Sequence, residues 1–177
     1  MSLLLPPDKV YAFTLENERG YTVDAGGPTQ DGVTQRDYDA YRQKLGLYTW
    51  DVRNISDGER REIYAWWWKS PYFDQLNLTV ATKLFDLCFN TSSPEGKSTG
   101  IEILQRALQH VCVGPVVVDG VFGPETIRFA NAIDYDVLYD YLVTEWIMHY
   151  VGLVQENPSD GVNLRGWIRR AARLVLS

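Results

Sequence analysis

Helix start signals recur from one end of the chain to the other, which limits the fold to helices joined by short turns. Ser56-Asp57-Gly58-Glu59 has the Ser-x-x-Glu form of a capping box, in which serine and glutamate each satisfy a free amide of the first turn. Thr99-Gly100-Ile101-Glu102 has the same form further on. Thr34 is placed to cap a helix reaching Leu45, with Gly46 as its stop. Pro6-Pro7-Asp8 opens a short amphipathic run through Val10, Tyr11 and Phe13 that ends near Gly20. Pro124 follows Gly123 as the first residue of another helix.

Between these signals the apolar residues keep helical spacing. Leu76 to Asn90 carries Val80, Leu84 and Leu87 and predicts a central buried helix. A long aromatic helix is expected over 135–152, and a last one after Asn163, with Trp167, Ile168, Ala171, Leu174 and Val175 facing inward. Ser70-Pro71 is expected to end the helix that carries Trp66-Trp67-Trp68, and 91–97 to be a loop. Only 21–34 resists a helix. Gly26-Gly27-Pro28 and Asp31-Gly32 mark two reversals, so a loop or a very small β-hairpin is expected there. The fold class is all-α.

Composition narrows the function. A net charge of −6 argues against a nucleic-acid partner, which requires a basic face to meet phosphates. No stretch is long and apolar enough to span a bilayer. Met1-Ser2-Leu3-Leu4-Leu5 lacks a basic region and is too short for a signal peptide. Synthesis in the cytoplasm is therefore expected, with any action on an external polymer following release or export. Cys88 and Cys112 sit among apolar residues as expected free thiols, and His110 and His149 have no ligand-spaced partners, so neither metal nor cofactor is expected. Asp134, Asp136, Asp140 and Glu145 cluster, as do Arg165, Arg169, Arg170 and Arg173; neighbouring helices with complementary faces explain this pattern. With 13% aromatic residues, some rings beyond the core are available to line a groove, where sugar C–H faces pack well. Trp66, Trp67 and Trp68, about 100° apart on a helix, cannot all share one buried face. Core plus interface is the expected reading for them.

Cleaving a glycosidic bond calls for a carboxylic acid near the leaving oxygen, partly buried, beside a glycine-rich segment that lets substrate approach. Glu18 fits, at the end of the first apolar helix and followed by Gly20-Tyr21. Glu16 competes with it on spacing alone, and a glutamate near a helix end is most often a solvated charge.

Glu18-Arg19-Gly20-Tyr21 followed by Asp24-Ala25-Gly26-Gly27-Pro28-Thr29-Gln30-Asp31-Gly32-Val33-Thr34 resembles the Glu-Gly-Gly-Tyr … Asp-Pro-Gly-Gly-x-Thr-Asn-x-Gly-Ile-Thr signature of glycoside hydrolase family 108. These are phage and bacterial N-acetylmuramidases. Phe85-Asp86-Leu87-Cys88-Phe89-Asn90 is similar to the family's Phe-Asp-x-x-Val-Asn. Leu104-Gln105-Arg106-Ala107-Leu108 with Asp119-Gly120-Val121-Phe122-Gly123-Pro124-Glu125-Thr126 resembles its C-terminal region, and Gly166-Trp167-Ile168-Arg169-Arg170 its closing Gly-Trp-Leu-x-Arg.

The resemblance implies a lysozyme-like helical fold and a peptidoglycan hydrolase acting on the glycan strand of the cell wall, with the bacteriolytic role of an endolysin. It makes Glu18 the general acid and places Tyr21, Asp24, Thr29 and Gln30 in the cleft, with Asp86 and Asn90 on one face of the central helix reaching the same groove. It divides the chain into a catalytic lobe, 1–95, and a helical peptidoglycan-binding lobe, 96–177, packed as a single compact unit. Arg19 and Gln30 depart from the signature, and the segment between Tyr21 and Gly26 is short. Two other readings share these features: a weak or inactive peptidoglycan-binding protein on the same scaffold, and a lytic transglycosylase. Asp86 and Asn90 are equally consistent with a structural polar stripe.

Overall fold

The computed structural model describes residues 5–24, 26–68, 72–91, 98–112 and 114–175, so the Ser70-Pro71 stop and all of the expected 91–97 loop but Thr91, which is helical, lie outside the described residues. The chain forms two compact units, Met1–Lys69 and Ser70–Ser177. Among the described residues there are eight α-helices and one small antiparallel sheet. No helix among them is long and apolar enough to cross a membrane.

The first unit contains α1 (Asp8–Glu18), β1 (Tyr21–Asp24), β2 (Gly27–Gln30), β3 (Val33–Thr34), α2 (Gln35–Lys44) and α3 (Asp57–Trp67). Both predicted caps are present. The Thr34 side chain accepts from the Asp37 amide, and Ser56 with Glu59 closes a full capping box. The core is built from hydroxyl-bearing rings, Tyr11, Tyr38, Tyr41 and Tyr64, around Val10, Val33, Val52 and Ile63. Each buried phenol donates to an acceptor: Tyr11 to Asp57 (2.7 Å), Tyr38 to Glu59 (3.1 Å), Tyr41 to Glu62 (3.0 Å) and Tyr64 to the Asp31 carbonyl (2.9 Å). This is how tyrosine is buried without orphaning its hydroxyl. Burial pushes Tyr41 up to about 12. Trp68 is buried, while Trp66 and Trp67 are half-buried. The Trp66 ring lies 5.7 Å from that of Tyr41, with the Lys44 ammonium over it.

The segment expected as a loop or hairpin is a three-stranded meander, with Tyr21 paired to Gln30 and Thr29 paired to both Thr22 and Thr34. Its strands are too short, and too rich in Gly, Pro and Thr, for alternation to show in the sequence.

The second unit contains α4 (Leu78–Thr91), α5 (Thr99–Val111), α6 (Pro124–Asn131), α7 (Tyr135–Glu156) and α8 (Gly161–Ala172). Helix α4 is the expected central helix, buried continuously from Val80 to Cys88 and packed on α5 and α7. Gly100 is required at the α4–α5 contact, because a Cβ there would lie 2.7 Å from Cys88 Sγ and 2.9 Å from its Cα. On α7 the residues Leu138, Leu142, Trp146 and Tyr150 form a buried stripe at every fourth position.

Several expectations shift. Helix α5 is capped by Ser98, whose hydroxyl accepts from the Ile101 amide, and not by Thr99; Glu102 instead pairs with Arg106 one turn on. Helix α7 runs on to Glu156, and α8 begins at Gly161. Leu174, past the end of α8, is 66% exposed, whereas Ala171 and Val175 are buried. Cys112 is half-buried, and both thiols are free. Helices α7 and α8 do pack, but through stacked Tyr150 and Trp167 rings 5.1 Å apart. Their clustered charges have other partners: Glu145 meets His110, Asp134 caps α7, and Arg170 turns inward to Asp86.

Lys83 is fully buried on α4. Its ammonium donates to the Arg170 and Arg173 carbonyls at the end of α8 (3.1 and 2.7 Å), where the helix dipole is negative. Burial pulls it down to about 8, with Asp86 opposing and Arg170 and Arg173 reinforcing the shift. From there up to the ordinary lysine value of 10.5 the unfolded chain holds a proton that the folded chain has released, so stability rises with pH across that window. The full gain is about 3 kcal/mol, with the raised tyrosines opposing it above about pH 10. Lys83→Met is expected to flatten this rise in denaturant titrations run from about pH 7.5 to 10.

Candidate active site at the end of the first helix

Helix α1 ends at Glu18, and the chain then turns through Arg19 and Gly20 into β1. Gly20 has φ +116°, a conformation L side chains rarely adopt, so the reversal depends on glycine at that position. Glu18 is half-buried, whereas Glu16 is exposed. The structure therefore separates two residues that spacing alone did not. Arg19, the departure beside the acid, is exposed and forms no ion pair among the described residues.

The turn after Glu18 is held by Asp31, which the sequence reading treats only as half of an Asp-Gly reversal. Asp31 Oδ1 accepts from the Gly20 amide (2.8 Å), and the Asp31 amide donates to the Gly20 carbonyl (2.9 Å). Asp31 itself has φ +51°, a strained value that its hydrogen bonds compensate. Its other carboxylate oxygen pairs with Arg60 Nη1 at 2.5 Å, both side chains being nearly buried. Arg60 Nε donates to the Tyr11 hydroxyl (2.8 Å), whose own proton goes to Asp57. The Tyr11 ring meets Tyr64 edge-on, 5.1 Å between centroids. Burial raises the Tyr64 phenol strongly, and the Glu18 charge adds to that rise. Asp31, Arg60, Tyr11 and Tyr64 thus form a rigid backing for the Glu18 turn.

The sheet sorts the other predicted residues. Tyr21 and Gln30 are directly paired and share one face, with Val33 continuing that row. Thr29 lies on the opposite face, in a row with Thr22 and Thr34. Tyr21 is 43% exposed, with the Arg53 guanidinium 5.4 Å from its ring centre. Asp24 pairs with Gly27, and its side chain lies outside the described residues.

Asp86 and Asn90 belong to the second unit, and both are engaged within it. Asp86 is fully buried and accepts from Arg170 Nη2 (2.8 Å) and Nε (3.2 Å). Asn90 accepts from the Tyr150 hydroxyl (2.5 Å), and Tyr150 is stacked on Trp167. The Phe85–Asn90 motif and the Gly166–Arg170 motif are therefore two halves of one lock, joining α4 to α8 through α7.

The third motif has a similar internal use. Gln105 is buried. Its Oε1 accepts from the Asp119 and Gly120 amides (both 2.9 Å), while its Nε2 donates to Asp119 Oδ1 (2.8 Å), the Val121 carbonyl (3.3 Å) and Thr126 Oγ1 (3.2 Å). One side chain thereby fixes the whole Asp-Gly turn and the start of α6. Among the described residues no group of His, Cys, Asp and Glu is arranged to hold a metal ion.

Residues 11–91 match the family Glycosyl hydrolase 108, and residues 99–172 match a Predicted Peptidoglycan domain. No curated protein matches the sequence significantly. The fold is similar to the structure of Brucella abortus SagA, with a TM-score of 0.66 and 21% identity over 96% of this chain and 95% of that one.

Proposed function

We propose that the chain is a peptidoglycan-acting lytic enzyme, an N-acetylmuramidase with Glu18 as its general acid; supporting this, residues 11–91 match the Glycosyl hydrolase 108 family and residues 99–172 a Predicted Peptidoglycan domain. The observation that carries this reading is a half-buried carboxyl at the end of α1, inside the hydrolase match, on a turn fixed by Asp31 and Arg60. A general acid must be held still relative to the leaving oxygen, and a turn tied at both its amide and its carbonyl does that.

In the proposed reaction Glu18 gives its proton to the glycosidic oxygen as the C1–O bond breaks. Water adds to the oxocarbenium-like carbon, and a proton returns to the carboxylate. Tyr21 and Gln30, together on one face of the sheet, supply a ring and an amide to a sugar in the groove. The substrate lies in the cell wall, so the enzyme acts there after release or export.

The test is digestion of purified sacculi followed by borohydride reduction and mass analysis. Reducible N-acetylmuramic ends are the expected product. Anhydromuramic ends would replace hydrolysis with internal transglycosylation, and undigested sacculi would leave a binding protein.

A further inference from the structure

We propose that the open depression around Trp50 is a saccharide subsite for a neutral N-acetylhexosamine unit of the glycan strand, an inference that rests on the glycosidase reading and extends it. The segment from Tyr48 to Val52 is strapped to α2 through its main chain. Arg42 Nε donates to the Tyr48 carbonyl (2.6 Å), Gln35 Nε2 donates to the Trp50 carbonyl (2.7 Å), and Gln35 Oε1 accepts from the Val52 amide (2.8 Å). Val52 is buried, which plugs the strap into the core.

This anchoring leaves the indole of Trp50 58% exposed, with the Arg42 guanidinium bracing it 5.4 Å from a ring centre. The ring borders a shallow, open depression of about 340 Å³ lined also by Gln35, Asp39, Thr49 and Asp51. An aromatic face beside carboxylates and a hydroxyl suits a pyranose. The sugar's C–H face packs on the ring, and its hydroxyls donate to the carboxylates.

The charges choose the sugar. Asp39, which has no ion-pair partner among the described residues, would repel an anionic residue, so the unit bearing the lactyl group is disfavoured and the N-acetylglucosamine unit fits. The depression also has a structural link to the acid. Asp51 pairs with Arg53 (2.5 Å), Arg53 lies over Tyr21, and Tyr21 follows Glu18 by three residues.

The experiment is calorimetric titration of Glu18→Gln protein with an N-acetylglucosamine tetramer, which cannot be turned over by that variant. Adding Trp50→Ala is expected to weaken binding by about tenfold or more, with Trp50→Phe recovering part of the loss. The melting temperature should hold, because the ring is largely outside the core. Undiminished binding by Trp50→Ala, or no tetramer binding to the Glu18→Gln protein, would overturn the subsite. Trp50-dependent binding in a protein whose wild type leaves sacculi intact would uphold the subsite and defeat the glycosidase reading alone.

Discussion

Glu18→Gln is expected to slow the clearing of purified cell wall by about 10²–10⁴-fold, the usual contribution of a general acid. The substitution keeps the shape of the side chain but exchanges one carboxyl oxygen for an amide NH2, which cannot give the leaving oxygen its proton. Glu18 is a half-buried helix-end residue, and Asp31 still ties its turn in the variant, so the melting temperature should move little. Equal clearing by the variant would place the acid elsewhere, with exposed Glu16 and then Asp24 as the next carboxyls to replace. Intermediate clearing that follows the loss of folded protein would instead assign Glu18 a structural role. Turbidity decay and thermal melts on the same preparation separate these outcomes.

The parts of this fold readable from sequence are those whose physics is local. The Ser56–Glu59 box and the Thr34 cap each link residues three apart, and both form as written. The buried stripe of α4 follows from its apolar run. What could not be read depends on partners far along the chain. Asp31 looks like any Asp-Gly turn until Arg60, 29 residues later, closes on it. Asp86 and Asn90 sit four apart on a helix face, which is as consistent with a groove as with a lock. Their partners, Arg170 and Tyr150, lie 84 and 60 residues away, beyond what spacing announces. Glu18 and Glu16 read alike on spacing, and their difference in burial exists only in the fold. Trp50 carried no sequence signal of its own, because an exposed indole and a core indole are spelled the same way. Lys83 reads as an ordinary polar position, and its burial depends on two carbonyls at the end of α8.

Asp86→Ala is expected to destabilise the second unit by about 3–5 kcal/mol, the usual cost of stranding one member of a buried ion pair. Arg170 would keep its charge in a site only slightly open to water, with its carboxylate acceptor gone. Lys83, whose ammonium Asp86 helps to hold charged, would also lose that support. The loss should therefore exceed that of one hydrogen bond. The double variant Asp86→Ala/Arg170→Met should recover a large part of the stability, since it removes the uncompensated charge and leaves an apolar chain of similar length. A residue that bound the glycan would behave differently, with KM rising at unchanged stability. For Asp86 the expectation is the reverse: molecules that remain folded at low temperature should clear wall at the wild-type rate, while denaturation moves to lower denaturant concentration. A KM change at unaltered stability would return Asp86 to the substrate groove and break the lock between the two motifs. The lock also predicts that Asn90→Ala and Trp167→Ala act on the same contact, through Tyr150. Their costs should then be non-additive with each other, and closer to additive with that of Asp86→Ala.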